Sequence, residues 1–190
     1  MEKEFFENKS FHKKDFSKNT LVLGEYEDCK FIDCNFSNSD LTDINFVDCV
    51  FELCDFSSVK LDQTSFNNCF FTDSKLFDLN FENCNQFLFS VRFEKCRIVL
   101  STFFKMNLEK TEFAECEINE VDFTETNLNS AIFSKCNLEG TIFENTNLEK
   151  TDFRSSFNFN IDPELNRIKK TMFSQMELIG LLRKFDLTIE

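Results

Sequence analysis

The sequence predicts an all-β fold, a parallel β-helix with four sides, from two periods in its residues. Large apolar side chains recur at every fifth position, as Phe31 and Phe36 do in the stretch CKFIDCNFSNSDLTDINF. Identical side chains recur 20 positions apart, as Cys29 and Cys49 do. A helix repeats at about 3.6 residues and a strand at about 2, so neither accounts for this spacing. Five residues per side and 20 per turn describe a four-sided coil whose turns stack on one another.

Residues 1–10 come before the repeat. Because a stack of coils leaves its core open at both ends, these residues are expected to form a cap over the first coil. They are too charged for a secretion signal. No apolar run in the chain reaches the ~20 residues that span a bilayer. We therefore expect a cytoplasmic protein that makes no membrane contact.

The repeat itself covers residues 11–153. The large apolar residue of each five-residue unit, here called its centre, keeps its place from Phe11 to Phe81. The count then slips by two residues near 82–88 and resumes at Leu88. The two runs together contain 29 units, which make about seven coils at four units per coil.

All nine cysteines lie two positions before a centre, or before the place a centre would take without the slip. Residues two apart on extended chain point the same way, so these thiols are expected inside the rod as small core residues. Zinc is the alternative, because Cys29 with Cys34 and Cys49 with Cys54 repeat a C-x4-C spacing. The single histidine, His12, lies outside that region. We expect free thiols in a reducing compartment, and neither metal nor cofactor.

Residues 154–190 follow the repeat and contain helix signals. Asp162 and Pro163 would provide an N-cap and a first helical residue, and Ser174 with Glu177 forms a capping box. The second helix would carry a wide apolar face of Met176, Leu178, Ile179, Leu181, Leu182 and Phe185. Two alternatives stay open for this short helical segment. It caps the last coil of a monomer, or it forms the interface of a two-fold dimer.

Acidic residues dominate the repeat. The chain has 34 Asp and Glu against 21 Lys and Arg, and residues 25–153 alone have 25 against 10. Seven coils at ~4.8 Å each make a rod of about 34 Å, and B-DNA of that length carries about 20 charges. The rod is thus comparable to duplex DNA in length and charge, and it should repel nucleic acid rather than bind it. Alternatively, the carboxylates only keep a large surface soluble.

Two acidic stretches, 111–134 and 25–62, are candidate partner-binding faces. The candidate residues are Glu112, Glu115, Glu117, Glu120, Asp122 and Glu125 in the first stretch, and Asp28, Asp33, Asp43, Asp48 and Glu52 in the second. Catalysis is not expected, because the chain has one histidine and no glycine-rich phosphate loop. Regularly spaced carboxylates on a rod also lack a pocket that would shift their pKa values.

Several units carry a small residue, a polar residue, Leu or Phe, and two polar residues: CNFSN (34–38), SDLTD (39–43), CNLEG (136–140), TNLEK (146–150) and TDFRS (151–155). This pattern resembles the pentapeptide-repeat proteins, and the resemblance implies a right-handed coil. The segment NIDPELNRIKK (160–170) resembles the tail of Qnr-like and microcin-immunity proteins.

That second resemblance implies a function. Such proteins bind bacterial type II topoisomerases, DNA gyrase or topoisomerase IV, and protect them from quinolones or a peptide poison. It also favours a homodimer through the C-terminal segment. The expectation is therefore a DNA mimic with a topoisomerase partner. The alternative is an acidic protein-interaction scaffold with no such partner.

Overall fold

The chain turns a corner every five residues, so its strands are only three or four residues long. The computed structural model describes residues 4–185 and 187. In this part of the chain, many residues other than glycine have a positive φ, and almost all of them lie two positions after a centre. Left-handed backbone is unfavourable for most side chains and easiest for Asn and Asp. It bends the chain from one side to the next, as at Asn38 and Asp43, whose φ angles are 56° and 63°.

The residue before a centre often supports the same corner. The Asp40 carboxylate accepts a hydrogen bond of 2.9 Å from the Thr42 N–H. The Asn147 side chain accepts one of 3.2 Å from the Glu149 N–H. Such Asx turns give a backbone N–H a partner where the chain leaves a sheet. This geometry explains why Asn and Asp are frequent at the position before the centre.

Fourteen strands, numbered in chain order within the described residues, stack in parallel on three sides of the coil. Side 1 contains β1 (Glu4–Glu7), β3 (Gly24–Glu27), β5 (Asn45–Val47) and β7 (Ser65–Asn67). Side 2 contains β2 (Ser10–His12), β4 (Lys30–Ile32), β6 (Val50–Glu52), β8 (Cys69–Thr72), β10 (Val91–Glu94), β12 (Glu112–Ala114) and β14 (Ile132–Ser134). Side 3 contains β9 (Lys75–Phe77), β11 (Arg97–Val99) and β13 (Glu117–Asn119).

Single β-bridges join the coils on side 4, where Asp122 pairs with Thr102 on one neighbouring coil and with Ile142 on the other. The register between coils follows the longer period of the sequence, so that Phe31 of one coil pairs with Phe51 of the next. The seven-stranded sheet of side 2 corresponds to seven successive coils. The predicted four-sided parallel solenoid of about seven coils is thereby confirmed.

The centres form columns of stacked rings in the core. Phe113 is fully buried between Phe93 and Phe133, with ring centroids 5.2 and 4.7 Å away. All nine cysteines are buried and free, as expected of small core residues. The neighbouring coil satisfies most hydroxyls at the same position, as where Thr64 Oγ1 donates to the Leu41 carbonyl at 2.8 Å, whereas the buried Ser39 hydroxyl has no partner among the described residues. The core therefore contains few polar groups without a partner.

The structure differs from the prediction at the two-residue slip near 82–88. Strand β10 pairs with β8 in a register that absorbs the insertion, so the core column continues from Phe71 to Phe93. Leu88, the predicted centre, is 60% exposed with a φ of 59°. Phe89 takes its place and lies 6.3 Å from the Phe66 ring. The prediction was wrong here because counting by fives cannot tell which residue of the inserted segment turns inward.

Both ends differ in detail from the expected boundaries. Residues 4–7, expected within a cap, form β1 and pair with β3, and Phe6 stacks on Tyr26 at 4.7 Å. At the other end the coil continues beyond residue 153, because bridges join Arg167 to Asn147 and Met172 to Asp152. The stack of coils therefore includes residues 4–7 and residues beyond 153, which the five-residue count placed outside the repeat.

The predicted first helix of the tail is a turn. Residues 163–165 form turns, and the Asp162 carboxylate accepts a hydrogen bond of 2.9 Å from the Glu164 N–H. Ser174 does cap the second element, a 3-10 helix (Gln175–Leu181), by accepting from the Glu177 N–H at 3.3 Å. Two further 3-10 helices span Phe81–Asn83 and Arg183–Phe185.

The tail packs on the end of the core through Gly180. The Ile161 N–H donates to the Gly180 carbonyl at 3.0 Å. A side chain at Gly180 would place its Cβ 2.5 Å from the Phe159 ring, so only glycine permits this approach. Lys184 also stabilises the position of the tail through ion pairs of 2.8 Å to Asp162 and 2.7 Å to Glu164.

Candidate protein-interaction surface

The six acidic residues of 112–125 do not share a face. They occupy most of one coil, since the chain completes a full turn between Glu112 and Ile132, which pair on neighbouring coils. Glu112 lies on side 2, Glu117 on side 3 and Asp122 on side 4. The other three, Glu115, Glu120 and Glu125, stand at the corners between sides, each with a positive φ.

Four of these six carboxylates are paired with cations from neighbouring coils. The ion pairs join Glu112 to Arg92, Glu117 to Arg97, Glu125 to Lys105 and Glu115 to Lys135, at 3.2, 2.7, 3.5 and 3.0 Å. The Lys135 ammonium also holds the pKa of the Glu115 carboxyl below its usual range. The remaining two, Glu120 and Asp122, form no such ion pair within the described residues. A stretch without cations in the sequence is thus partly neutralised by cations one coil away.

The five candidates of the second stretch are also dispersed. Asp28 and Asp48 lie one above the other at the corner between sides 1 and 2, since their N–H groups bond to successive coils. Asp33 lies at the corner between sides 2 and 3, 4.0 Å from Lys13. Glu52 ends β6 on side 2, and Asp43 stands at the corner between sides 4 and 1.

Charge is instead concentrated on two adjoining sides. Sides 4 and 1 with the corner between them, here called the acidic half, have eleven acids against two cations over residues 25–149. The cations are Lys60 and Lys105. The acids are Glu25, Glu27, Asp40, Asp43, Asp62, Glu82, Glu109, Asp122, Glu125, Glu144 and Glu149. The net charge of this half is −9.

The opposite surface, sides 2 and 3 with their shared corner, is here called the balanced half. Over the same residues it has nine acids against six cations, a net charge of −3. Its cations are Lys30, Lys75, Arg92, Lys95, Arg97 and Lys135. Several stand one coil from a carboxylate, as Lys75 does at 3.5 Å from Asp55. Sequence reasoning missed this asymmetry, although a charge count at the longer of the two periods would have revealed it.

The C-terminal candidates separate into two groups. Leu181 packs against the core, and Leu182 is half-buried. Exposed side chains form the other group, with Met176 at 90% and Leu178, Ile179 and Phe185 between 39% and 53%. The segment therefore acts as a cap and still presents apolar side chains to solvent.

Most of the buried thiols have a raised pKa and are poor nucleophiles. Cys34 differs, because a hydrogen bond from the Cys54 thiol lowers its pKa to about 7. Burial raises the pKa of Cys49 to about 12 and raises that of Cys69 well above its usual range. Thiolate is the reactive form, so these residues are inert in the folded rod. The described residues contain no cluster of His, Cys, Asp and Glu suited to a metal ion. Nor does a helix among them have the length and apolar character needed to cross a bilayer.

Comparisons with known proteins agree with this architecture. A sequence profile described as "Pentapeptide repeat region" matches residues 44–123 and 86–162. A trypsin-treated variant of QnrB1, a plasmid-mediated fluoroquinolone resistance protein, is 16% identical with a TM-score of 0.62, covering 98% of this chain and 92% of that one. A second such variant is 17% identical with a TM-score of 0.51, covering 98% and 100%.

A third solved structure is HetL from the cyanobacterium Nostoc, a pentapeptide repeat protein involved in heterocyst differentiation regulation. It is 14% identical with a TM-score of 0.47, covering 90% of this chain and 84% of that one. No curated protein sequence has significant similarity to the chain. At these identities the likeness to the two QnrB1 variants shows the fold alone.

Proposed function

This chain belongs to the pentapeptide-repeat family, and we propose that it binds a bacterial type II topoisomerase, either DNA gyrase or topoisomerase IV. The acidic half would occupy the basic groove in which such an enzyme holds duplex DNA. By competing with the DNA that a quinolone or a peptide poison traps on the enzyme, the protein would protect it. Charge steers such an encounter and sets its salt dependence.

The one-sided charge of the rod carries the proposal. Seven coils at ~4.8 Å are about 34 Å long, and one strand of B-DNA of that length carries about 10 charges. The acidic half has a net charge of −9 along nearly the same length. A soluble rod with no partner has no need to gather its excess of acids on two adjoining sides. A basic groove would meet this half and leave the balanced half in solvent.

Two further points support a topoisomerase as the partner. QnrB1, to which the chain is similar in fold, is described as a fluoroquinolone resistance protein. Quinolones act on type II topoisomerases, so resistance without an enzymatic site is consistent with protection of the target. The acidic half also disfavours direct contact with nucleic acid, because phosphates and carboxylates repel each other.

The C-terminal segment is part of the same proposal. Met176, Leu178, Ile179 and Phe185 expose apolar side chains at one end of the rod. Contact between two such segments across a two-fold axis would cover them and place two rods end to end. The dimer would then present two acidic halves in one particle of about twice the length.

Topoisomerase activity assays test the function. Purified DNA gyrase is assayed for supercoiling, and topoisomerase IV separately for relaxation, with and without ciprofloxacin while the protein is titrated. Restored activity in the presence of the drug supports protection, and loss of activity without the drug indicates inhibition. No effect at large molar excess, together with no binding in a pull-down, would contradict the proposal and favour an interaction scaffold with another partner.

A further inference from the structure

The two-residue insertion displays apolar side chains on the acidic half. Phe87 is 78% exposed and Leu88 is 60% exposed, although the insertion lies beside an apolar core. Phe89 already fills the core position, 6.3 Å from both Phe66 and Phe81. The side chains of Phe87 and Leu88 are therefore not needed to fill the core of this coil.

The backbone holds this pair outward at both ends of the insertion. The Asn85 N–H donates to the Thr64 carbonyl at 2.9 Å, and the Ser90 N–H donates to the Phe66 carbonyl at 2.9 Å. Between these anchors, the Asn85 side chain accepts from the Phe87 N–H at 3.0 Å. Phe87 and Leu88 thus lie in a turn whose two ends are hydrogen-bonded to the preceding coil.

Leu88 adds a cost that the fold does not require. Its φ of 59° is left-handed, which is unfavourable for a leucine. Strained backbone clusters at functional sites, and adjoining exposed apolar side chains can mark an interaction surface. Asn or Gly would have made the same turn without presenting a side chain of this kind.

A shallow groove of about 330 Å³ lies next to the pair. Val47, Ser65 and Asn67 form its floor on side 1, Phe87 and Leu88 bound it on one side, and Asp43 contributes a carboxylate. The groove therefore combines an apolar wall with a negative charge, in the part of the rod where acids outnumber cations by eleven to two.

We propose that Phe87 and Leu88 are the apolar anchor of the partner contact, with an aliphatic side chain of a basic protein surface seated in the groove beside them. The inference rests on the proposed function and specifies which part of the rod holds the topoisomerase. The occupant follows from charge, since Lys and Arg around an apolar side chain would complement Asp43 and the acids of the neighbouring coils. Charge then governs association, while the anchor governs dissociation.

The chain offers a matched control for the anchor. Leu53 is 54% exposed with a φ of 54°, close to the values of Leu88. It lies at the corner between sides 2 and 3, diagonally opposite the corner between sides 4 and 1. Replacing it changes exposed apolar surface and backbone strain as the replacement of Leu88 does, but on the balanced half.

The experiment measures binding kinetics of purified DNA gyrase, and of topoisomerase IV, on immobilised protein by surface plasmon resonance. Phe87→Ser combined with Leu88→Ser should raise the dissociation rate at least about tenfold and leave the association rate near that of wild type. Leu53→Ser should behave as wild type. Melting curves confirm that both variants remain folded.

The outcomes separate the two proposals. If wild type binds and the double variant dissociates at the wild-type rate, the anchor is refuted while the proposed function stands. If the Leu53→Ser control loses binding equally, the effect is not specific to the insertion and the anchor is again refuted. If wild type binds neither enzyme, the proposed function fails, and the anchor for this partner fails with it.

Discussion

Arg97 Nε donates a hydrogen bond of 2.7 Å to Glu117 Oε2, while its guanidinium carbon lies 5.6 Å from the centroid of the Phe77 ring. The three residues stand on three successive coils of side 3, where Arg97 pairs with Glu117 across the sheet and the strands that contain Arg97 and Phe77 also pair. The arginine covers an outward-facing ring on one coil and neutralises a carboxylate on the next. Contacts of this kind between neighbouring coils neutralise carboxylates on the balanced half.

Removal of charge from the acidic half should weaken partner binding. The change is Asp62→Asn, Glu82→Gln, Asp122→Asn and Glu144→Gln, all on side 4. We expect at least about a tenfold loss of affinity at low salt and a smaller loss at high salt, because screening already weakens the wild-type contact. Fluorescence anisotropy with labelled protein and purified gyrase measures the effect.

The matched control removes the same number of charges from the balanced half. Glu52→Gln, Glu94→Gln, Glu112→Gln and Glu117→Gln lie on sides 2 and 3 and alter the net charge equally. Affinity should stay near that of wild type. Equal losses from both sets would show that only total charge matters, and would contradict the assignment of the acidic half as the contact surface.

The core should respond unequally to two neighbouring substitutions. Phe113→Ala removes a ring stacked between Phe93 and Phe133 and should cost ~3–5 kcal/mol of unfolding free energy. Cys116→Ser should cost no more than about 1 kcal/mol. Its column already contains Ser156, whose hydroxyl donates to the Phe133 carbonyl at 2.8 Å. Urea unfolding gives both values, and similar losses would mean that the position of Cys116 is not a hydroxyl-tolerant site.

Substitutions at two corners of the coil should increase stability. Leu53 and Leu100 have left-handed backbone, with φ of 54° and 53°, and both side chains are exposed. Asn adopts this conformation more readily, so Leu53→Asn and Leu100→Asn should each raise the unfolding free energy by about 0.5–1 kcal/mol. Asn38→Leu reverses the exchange at an equivalent corner and should lower it. A stabilised Asn38→Leu variant would show that the corners carry no such preference.

The C-terminal contact of Gly180 should not tolerate a side chain. Gly180→Ala would place a Cβ 2.5 Å from the Phe159 ring and force the tail away from the last coil. Overpacking of this kind costs about 1–3 kcal/mol. We expect a lower melting temperature with unchanged β-sheet circular dichroism at room temperature. An unchanged melting temperature would mean that the tail contributes little to the cap.

The dimer can be tested without disturbing that cap. Met176 is 90% exposed, so Met176→Glu should leave the melting temperature unchanged. In a two-fold interface it would place a charge in apolar surroundings on both subunits, and sedimentation should show half the wild-type mass. Leu182→Glu is a less selective choice, because Leu182 is half-buried against the rod. A wild-type particle of 22.5 kDa would refute the dimer.

Much of the fold could be predicted because each coil repeats a local rule. A small residue and a large apolar residue two positions apart point inward on extended chain, and a polar residue turns each corner. Thus Cys116 and Phe113 could be placed in the core, and Ser174 at the start of the 3-10 helix Gln175–Leu181, from residue types and spacing alone. The insertion was located to within a few positions by the same count.

The candidate surface depended on tertiary structure. The sequence by itself determined the period, the core residues and the total charge, because these follow from spacing and composition. Only the stacked coils decided that Glu117 is neutralised by Arg97 while Asp122 has no such partner in the described residues, because ion pairs form between residues one coil apart. Only the packing decided that Phe89 turns inward and Phe87 outward, since one ring fits above Phe66 and the remaining residues must leave the coil.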